Sequence, residues 1–470
     1  LLNANYPKYT RQVQENFKKI ISQDIEGYEK EFRTELWSKL RKSSASYQGE
    51  PVPFLYNPFL ISLNDWFYLQ EMMDKFTNIL EKVIDNYLTS KKFRSYFPFD
   101  SQLEQYILID PGYESYYPIA RFDLFWQGSG QVKFCEINTD GTSAMNEVRV
   151  IQELVNQGKA VKKLKKKLDL SLAGFELFNS WLDKMLAIYR EFIGKKKVNP
   201  TVAIMDFKGE GVVSEFKEFQ NYLSKRGIKS FIADPRELDF KQDKLFYQGE
   251  KIDLIYRRAT TQRLFAEREQ IKDLLEAYRA GAVCLCGSFR SQIIHNKALF
   301  EILTDPAKIN FLAEEEITFL QDHIPETNHL TADGQTLNEL VKRQEELIIK
   351  PCDLNACKGV EVGRGKSREE WVNKLEENKD ENYLYQKYCS PPQLEMFLTS
   401  LSEDGFRFAD FNYIIGLFLY DGKLQGIYNR AGRRDIIGAA AECYTTPVYI
   451  AGAENILKEE LKDTEVILYE

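Results

Sequence analysis

The sequence predicts an α+β fold, and three observations carry that prediction. Apolar residues recur at helical spacing through the first hundred positions. Two strands with turn chemistry between them follow at 119–138. From Thr201 onward, short apolar runs alternate with helical ones in the manner of an open-sheet α/β unit. At 470 residues the chain is long for one core, and about three domains is the natural expectation.

Each element follows from its residues. Val13 to Lys42 and Asp65 to Leu88 read as helices, the second through Phe67, Leu69, Met72, Met73, Phe76 and Ile79. Ile119 to Trp126 and Gln131 to Asn138 read as strands around Gly128-Ser-Gly130, a hairpin turn. A helix is expected from about Asn146 to Leu154 and another from Glu176 to Ile193. Val202 to Met205, Ile228 to Ala233, Lys244 to Tyr247 and Asp253 to Arg257 read as strands, with a helix over Val212 to Arg226. This is a small Rossmann-like βαβ unit, in which Gly209-Glu-Gly211 is a tight loop without a full phosphate fingerprint. Ala282 to Cys286, Leu347 to Lys350, Tyr383 to Tyr388, Asp410 to Tyr420 and Lys423 to Arg430 complete the strands. The last two are a hairpin about Asp421-Gly422. The expected boundaries are 1–100, 101–195, 196–295 and 296–470.

The most informative stretch is the 119–138 hairpin. Side chains alternate along a strand, so Arg121 and Asp123 share one face, and Glu136 and Asn138 share one face of the partner. Phe122, Cys135 and Ile137 are expected to point the other way. Pairing the strands brings together two carboxylates, an amide oxygen and a guanidinium. That suits a hard cation with a phosphate beside it, and it equally suits a polar face with an ordinary salt bridge.

Other residues supply what a nucleotide triphosphate needs. Lys297 and Lys350 lie at apolar element ends, where a lone ammonium is costly without an anion. The Lys358-Gly359 loop can close over phosphates, with the glycine allowing close backbone approach. Gln386, Lys387 and Tyr388 follow an apolar strand and offer a main-chain edge for adenine, and Arg430 ends a hairpin strand within reach of a phosphate. Taken singly, each is also an ordinary surface lysine, loop or arginine.

Composition narrows the classes. A net charge of −8 argues against broad nucleic-acid binding, and the basic runs Lys162–Lys167 and Lys195–Lys197 read as a solvated helix face and a loop. No apolar run is long enough to span a bilayer, and no signal-peptide pattern opens the chain, so a cytoplasmic protein with no membrane partner is expected. A start at Leu1 rather than Met suggests a trimmed piece, which weakens that last inference. Seven scattered cysteines read as free thiols in a reducing compartment, and three histidines are too few for a histidine-dependent hydrolase or a zinc enzyme.

These residues together resemble the circularly permuted branch of the ATP-grasp ligases, including the glutathionylspermidine synthetase synthase domain. The Arg121-x-Asp123 and Glu136-x-Asn138 pairs are similar to that family's metal strands in order and spacing. Asn138-Thr-Asp-Gly-Thr-Ser-Ala-Met-Asn-Glu147 is similar to its Asn-Ala-Asp-Thr-Pro-Thr-Ser substrate loop. Asp253 to Arg258, Asn296-Lys297-Ala, Ile349-Lys350-Pro and Gln425 to Arg430 resemble its further motifs. The likeness runs from about residue 60 to the C-terminus, with metal ligands preceding the lysines as permutation requires.

The resemblance implies an ATP-grasp fold with a small α/β pre-ATP-grasp-like domain at 196–295, nucleotide-binding lobes at 296–470 and an N-terminal helical region. It implies that Asp123, Glu136 and Asn138 hold one or two Mg2+ and that Arg121 steadies the transferred phosphoryl group. Lys297 and Lys350 would grip the α- and β-phosphates, Arg430 the γ-phosphate, and Gln386, Lys387 and Tyr388 the adenine. Thr142, Ser143 and Glu147 would face substrate, with Arg257 and Arg258 reaching a substrate carboxylate. The implied activity is ATP- and Mg-dependent joining of a small-molecule or peptide carboxylate to an amine through an acyl phosphate. Gly141 stands where the family loop has Thr-Pro, so the substrates are left open, as are the choice among Arg430, Arg433 and Arg434 and the oligomeric state. A phosphotransferase or nucleotide sensor on the same fold is the alternative, and a metal-dependent carbohydrate or peptide binder a third.

Overall fold

The computed structural model describes residues 6–128, 130–194, 198–331, 333–354, 357–399, 406–438 and 442–469; the Lys195–Lys197 run and Ser129 lie outside them. A central antiparallel sheet organises the chain. Ile119–Trp126 pairs with Val132–Asn138, Arg121 opposite Asn138 and Asp123 opposite Glu136. On its other side lies Phe406–Tyr420, with Gly416 opposite Asp123. Lys423–Gly432 and Tyr444–Thr446 follow outward, and Gln393–Thr399 pairs with the first half of Phe406–Tyr420. The turn at Asp421-Gly422 has φ of 50° and 74°, the double left-handed geometry that an Asp-Gly hairpin favours.

One face of this sheet is a core wall. Phe122, Leu124, Trp126, Phe134 and Ile137 are buried under the helix Leu63–Thr89, whose Phe76 ring lies 4.3 Å from that of Phe134 and 5.8 Å from that of Phe122. Each such burial is worth about 1.5–3 kcal/mol, which locks the register and so fixes which residues face the other way. The helix starts at a capping box formed by Ser62 and Asp65.

A second sheet runs Val466–Tyr469, Ser171–Phe175, Val448–Gly452, Phe59–Ile61, so the strand at 59–61 is joined to the C-terminal region. The α/β unit is a four-stranded parallel sheet in the order Cys284–Cys286, Leu254–Arg257, Val202–Met205, Ser230–Ala233, as expected of a βαβ open sheet. An antiparallel meander at 238–252 decorates it, of which only the middle strand was foreseen. Finally, Thr327–His329, Tyr383–Lys387, Leu347–Pro351 and Glu361–Val362 form a sheet with its own small core around Trp371, Leu340, Leu347 and Ile349. The helix Lys159–Leu168 buries Ala160, Val161 and Leu164 and turns its lysines outward, the solvated face its composition implied. Among the described residues no helix is long and apolar enough to cross a membrane.

Candidate functional site: a cleft between two sheets

The cleft lies between the 327–387 sheet and the polar face of the central sheet. Its chemistry starts from an irregularity in the hairpin. Asp123 pairs with Glu136 and Leu124 with Phe134, leaving Cys135 as an extra residue. This β-bulge lets Glu136 share the face of Asp123 while Cys135 also lines the cleft. Strict alternation placed Cys135 on the opposite face, and the bulge is why that expectation fails. Burial holds its thiol well above the usual range.

Asp123 is 2% exposed and sits between two guanidiniums. Arg121 donates to it through Nε at 2.8 Å and Nη2 at 3.1 Å, and Arg430 through Nη2 at 2.7 Å. Asn138 Nδ2 donates to it at 3.3 Å. Both arginines also lie 5.4 Å from the ring of Tyr428, a cation–π contact that packs them in place. The approach is close enough that a Cβ on Gly416 would stand 2.7 Å from Asp123 Oδ1, so only glycine fits opposite the carboxylate. Of the three arginines left open by sequence, Arg430 enters the cleft, Arg433 is paired with Glu442 at 2.7 Å, and Arg434 is exposed.

Glu136 pairs with Lys297 at 2.7 Å, and Lys297 also donates to the Leu354 carbonyl at 2.7 Å. Burial alone would raise the Glu136 carboxyl, but Lys297 outweighs it and holds the group down at about 2. Lys350, 6% exposed, has no carboxylate within ion-pair distance among the described residues: its Nζ donates to the Cys135 carbonyl at 3.2 Å and to Gln386 Oε1 at 2.8 Å. Burial, and then the charge of Lys297, push it down from 10.5 to about 8. Gln386 is itself fixed by donating to Thr327 Oγ1 at 2.7 Å, so it orients Lys350. The backbone amides of Lys387 and Tyr388 already donate to the carbonyls of Glu326 and Glu346, at 2.8 and 2.7 Å. Both amides are thus committed to backbone acceptors, so any main-chain contact of Lys387 or Tyr388 with a purine would run through their carbonyls. The apolar slot beside them is built by Pro325, Ile348, Val360 and Val362.

Two loops meet above the slot. Cys357 Sγ contacts the Ile437 carbonyl at 3.8 Å, and Val360 and Ile437 line the cleft from either side. Lys358 and Gly359 are exposed beyond this contact and do not line the cleft.

The loop after Asn138 is docked on the α/β unit. Asp140 accepts from Arg257 Nη2 at 2.6 Å, Thr261 N at 2.8 Å and Ser291 Oγ at 2.8 Å. Thr139 Oγ1 donates to the Ser291 carbonyl, and a Cβ on Gly141 would meet the Arg258 carbonyl at 2.6 Å. Arg257 spends its remaining donors on the Gly287, Ala259 and Ser288 carbonyls and the Thr261 and Ser291 hydroxyls. Arg258 donates to the carbonyl of Thr142 and pairs with Glu215 at 3.3 Å. These two arginines, expected on a substrate carboxylate, are here a buried clamp on residues 140–142, at the carboxyl ends of the parallel strands. Thr142 Oγ1 caps the Asn138 carbonyl at 3.3 Å, and Ser143 meets the cleft through its carbonyl, which accepts from Arg121 Nη1 at 2.9 Å. Glu147 lies behind Tyr428, accepting from Thr445 Oγ1 at 2.7 Å; burial raises its carboxyl despite hydrogen bonds from Tyr428 and Thr445. Sequence reading passed over Tyr428 and Asp140. For Tyr428 a signal existed, since it stands two residues from Arg430 and so shares its face.

Among the described residues no three His, Cys, Asp or Glu side chains group tightly enough to hold a metal. Asp123 and Glu136, with the Asn138 amide oxygen, nonetheless form an all-oxygen donor set of the kind Mg2+ takes when phosphate oxygens and waters complete its shell. In this arrangement the two carboxylates rest on cations instead.

Residues 173–387 match the family model described as a circularly permuted ATPgrasp. Among solved structures, a glutathione synthetase like-effector from Globodera pallida in apoform is similar over 89% of this chain and 97% of its own, with a TM-score of 0.57 and 10% identity. The chain has the circularly permuted ATP-grasp fold. A putative gamma-glutamylcysteine synthetase from Methylobacillus flagellatus KT aligns at a TM-score of 0.38 and 9% identity, over 81% of this chain and 85% of that one. No curated protein matches. In the ATP-grasp chain order observed here, the carboxylate hairpin comes first, and the α/β unit and lysine-bearing lobe follow.

Proposed function

We propose that the protein is an ATP- and Mg2+-dependent ligase that joins a carboxylate to an amine. The observation that carries this reading is the charge of the cleft. Lys297, Lys350, Lys387 and Arg430 line the cleft against Asp123, Glu136 and Asp435, Arg121 packs on Asp123 beside them, and among the described residues Lys350 has no carboxylate within ion-pair distance. Buried ammonium groups are expensive unless an anion meets them, so this surplus is suited to a polyphosphate. The apolar slot supplies room for a base beside it.

Asp123, Glu136 and Asn138 would hold one or two Mg2+, whose positive charge would offset the negative charge that develops on phosphoryl transfer. Lys297 and Lys350 would hold the inner phosphates, leaving Arg430 and Arg121 nearest the terminal one. A substrate carboxylate oxygen attacks the γ-phosphorus, the bond to the bridging oxygen breaks, and ADP leaves. The amine nitrogen then attacks the acyl carbon, phosphate departs, and the nitrogen loses a proton. Arg121 is seated to steady both steps, because Asp123 and the Ser143 carbonyl fix its plane before any charge develops. No covalent enzyme intermediate is required. Glutathionylspermidine-synthase-like specificity, a cytoplasmic location and small acid and amine partners are part of the same proposal.

An ADP-release assay against pools of amines and carboxylates tests it. Turnover is expected only with Mg2+, an acid and an amine together; a phosphorylated product formed without an amine would replace the ligase with a phosphotransferase.

A further inference from the structure

One row of the central sheet runs through Glu136, Asp123, Gly416 and Tyr428, each the register partner of the next. Cross-strand partners share a face and neighbouring strands lie about 4.8 Å apart, so the row leads from the hairpin acids to a phenol over roughly 14 Å. Gly416 leaves a gap in it. A Cβ there would meet Arg121 Cδ at 2.8 Å, so the Arg121 side chain lies across the glycine, with its guanidinium 5.4 Å from the Tyr428 ring. Both lysines stand at the other end of the row, Lys297 on Glu136 and Lys350 on the Cys135 carbonyl. A nucleotide drawn to them leaves the Tyr428 end for the second substrate.

That end holds a phenol paired with a carboxyl. Glu147, in the first turn of the helix Met145–Asn156, accepts from Tyr428 and from Thr445 Oγ1, the latter at 2.7 Å. Among the described residues no cation stands within ion-pair distance of it, and burial raises its carboxyl, so it takes up a proton readily. The Tyr428 phenol is raised first by burial and then by the charge of Glu147, so it keeps its own proton. Because that proton is donated to Glu147, lone pairs of the phenol oxygen are free to accept another. Two further titratable groups lie near the pair, Glu215 and Cys443. Glu215 is spent on Arg258 at 3.3 Å and burial raises the Cys443 thiol, so neither competes for the role.

Amide formation has a use for such a pair. At neutral pH an alkylamine arrives as an ammonium ion, which has no lone pair to attack with. Beside Arg121 and Arg430 its positive charge is repelled, which favours loss of a proton. We propose, given the ligase reading, that Tyr428 is a catalytic residue that deprotonates the amine, with Glu147 behind it as the final acceptor. An ammonium N–H bond breaks as its proton passes to the phenol oxygen, and the phenol's own proton passes to a Glu147 oxygen. The freed nitrogen pair forms the bond to the acyl carbon, the carbon–oxygen bond to phosphate breaks, and phosphate takes the proton that the new amide nitrogen gives up. Glu147 returns its proton to solvent as the products leave. A bare ring would suffice as a platform for the two guanidiniums; the hydroxyl and the carboxyl behind it are what that role leaves unexplained.

A competition between two kinds of nucleophile tests it. The intact chain is given MgATP, a pool of N-acetyl amino acids, a pool of primary alkylamines, and hydroxylamine, which is uncharged at neutral pH and needs no proton acceptor before attack. Mass spectrometry reads the ratio of amide to hydroxamate. That ratio is expected to fall about a hundredfold in Tyr428→Phe, which keeps the ring on the guanidiniums, and about tenfold in Glu147→Gln. A ratio that holds in both variants, even because the two products fall together, overturns the inference. So does a wild type that makes hydroxamate and no amide; in either case acyl-phosphate formation still stands. A wild type that makes no hydroxamate overturns the ligase reading, and this inference with it.

Discussion

Replacing Asp123 by Asn should change nucleotide affinity in opposite directions with and without metal. Asp123 accepts three hydrogen bonds from Arg121 and Arg430, at 2.8, 3.1 and 2.7 Å, so its charge both occupies the guanidiniums and repels an incoming phosphate. A phosphate held by those arginines would stand roughly 5 Å from the carboxylate, where one pair of like charges costs about 3 kcal/mol at an effective dielectric of 20. Solvent and relaxation reduce this, so Asp123→Asn should tighten metal-free ATP binding by about ten- to a hundredfold. With excess Mg2+ the same variant lacks a ligand and should bind ATP more weakly than wild type, with turnover abolished. The unliganded variant should also lose about 3 kcal/mol of stability, since two buried guanidiniums lose their counter-charge. Titration calorimetry in chelator and in Mg2+, with urea unfolding alongside, reads all three. Affinity that falls in both conditions, or moves in neither, refutes the assignment of Asp123 as a metal ligand set between phosphate-binding arginines.

Lys350→Met should stabilise the unliganded protein at pH 7 by about 3 kcal/mol, because a lysine depressed from 10.5 to about 8 is bound at the cost of its charge, while ATP binding weakens. The sign follows from the depression: between about pH 8 and 10.5 the unfolded chain holds the proton and the folded one does not, so wild-type stability from this group rises with pH across that window, and the variant loses the rise in urea titrations. Nucleotide binding near pH 8 should take up protons in wild type and not in Lys350→Met, measurable by calorimetry in buffers of different ionisation enthalpy. Glu136, held at about 2 against an ordinary 4.5, contributes stability that is present above pH 4.5 and lost as pH falls towards 2; Glu136→Gln should flatten the acid limb of a stability–pH curve and abolish turnover. Asp140→Ala should cost about 3–5 kcal/mol by stranding the buried Arg257, seen as an early unfolding midpoint, and should leave metal-free ATP affinity near wild type in the fraction that folds.

What was legible in the sequence is what obeys a period. The hairpin, the βαβ unit and the Asp421-Gly422 turn are written in alternation and turn chemistry, and all three stand where they were expected. Lys297 and Lys350 were legible as costly charges at apolar element ends and Arg430 as a cation on a hairpin strand, and the fold gathers all three around the hairpin acids. The bulge at Cys135 was not, since one extra residue leaves no mark in an alternating pattern until the partner strand is known. Nor was the fate of Arg257 and Arg258, whose partners Asp140 and Glu215 are remote in sequence. The strand Ser171–Phe175 escaped because Ser, Ala and Gly dilute its apolar signal, and only its sheet neighbours make it a strand.

The pairing of Asp123 with Gly416 also sets a schedule for the growing chain. The acidic hairpin leaves the ribosome well before the α/β unit, and the strand that seats its guanidinium partner arrives after both. Until Phe406–Tyr420 and Lys423–Gly432 fold back, Asp123 stands without Arg430, and one edge of the hairpin presents unpaired backbone. Such a nascent chain has no closed cleft. A product cut short before residue 406 is therefore an open sheet edge rather than a partial cleft, and a substrate for chaperones and proteases.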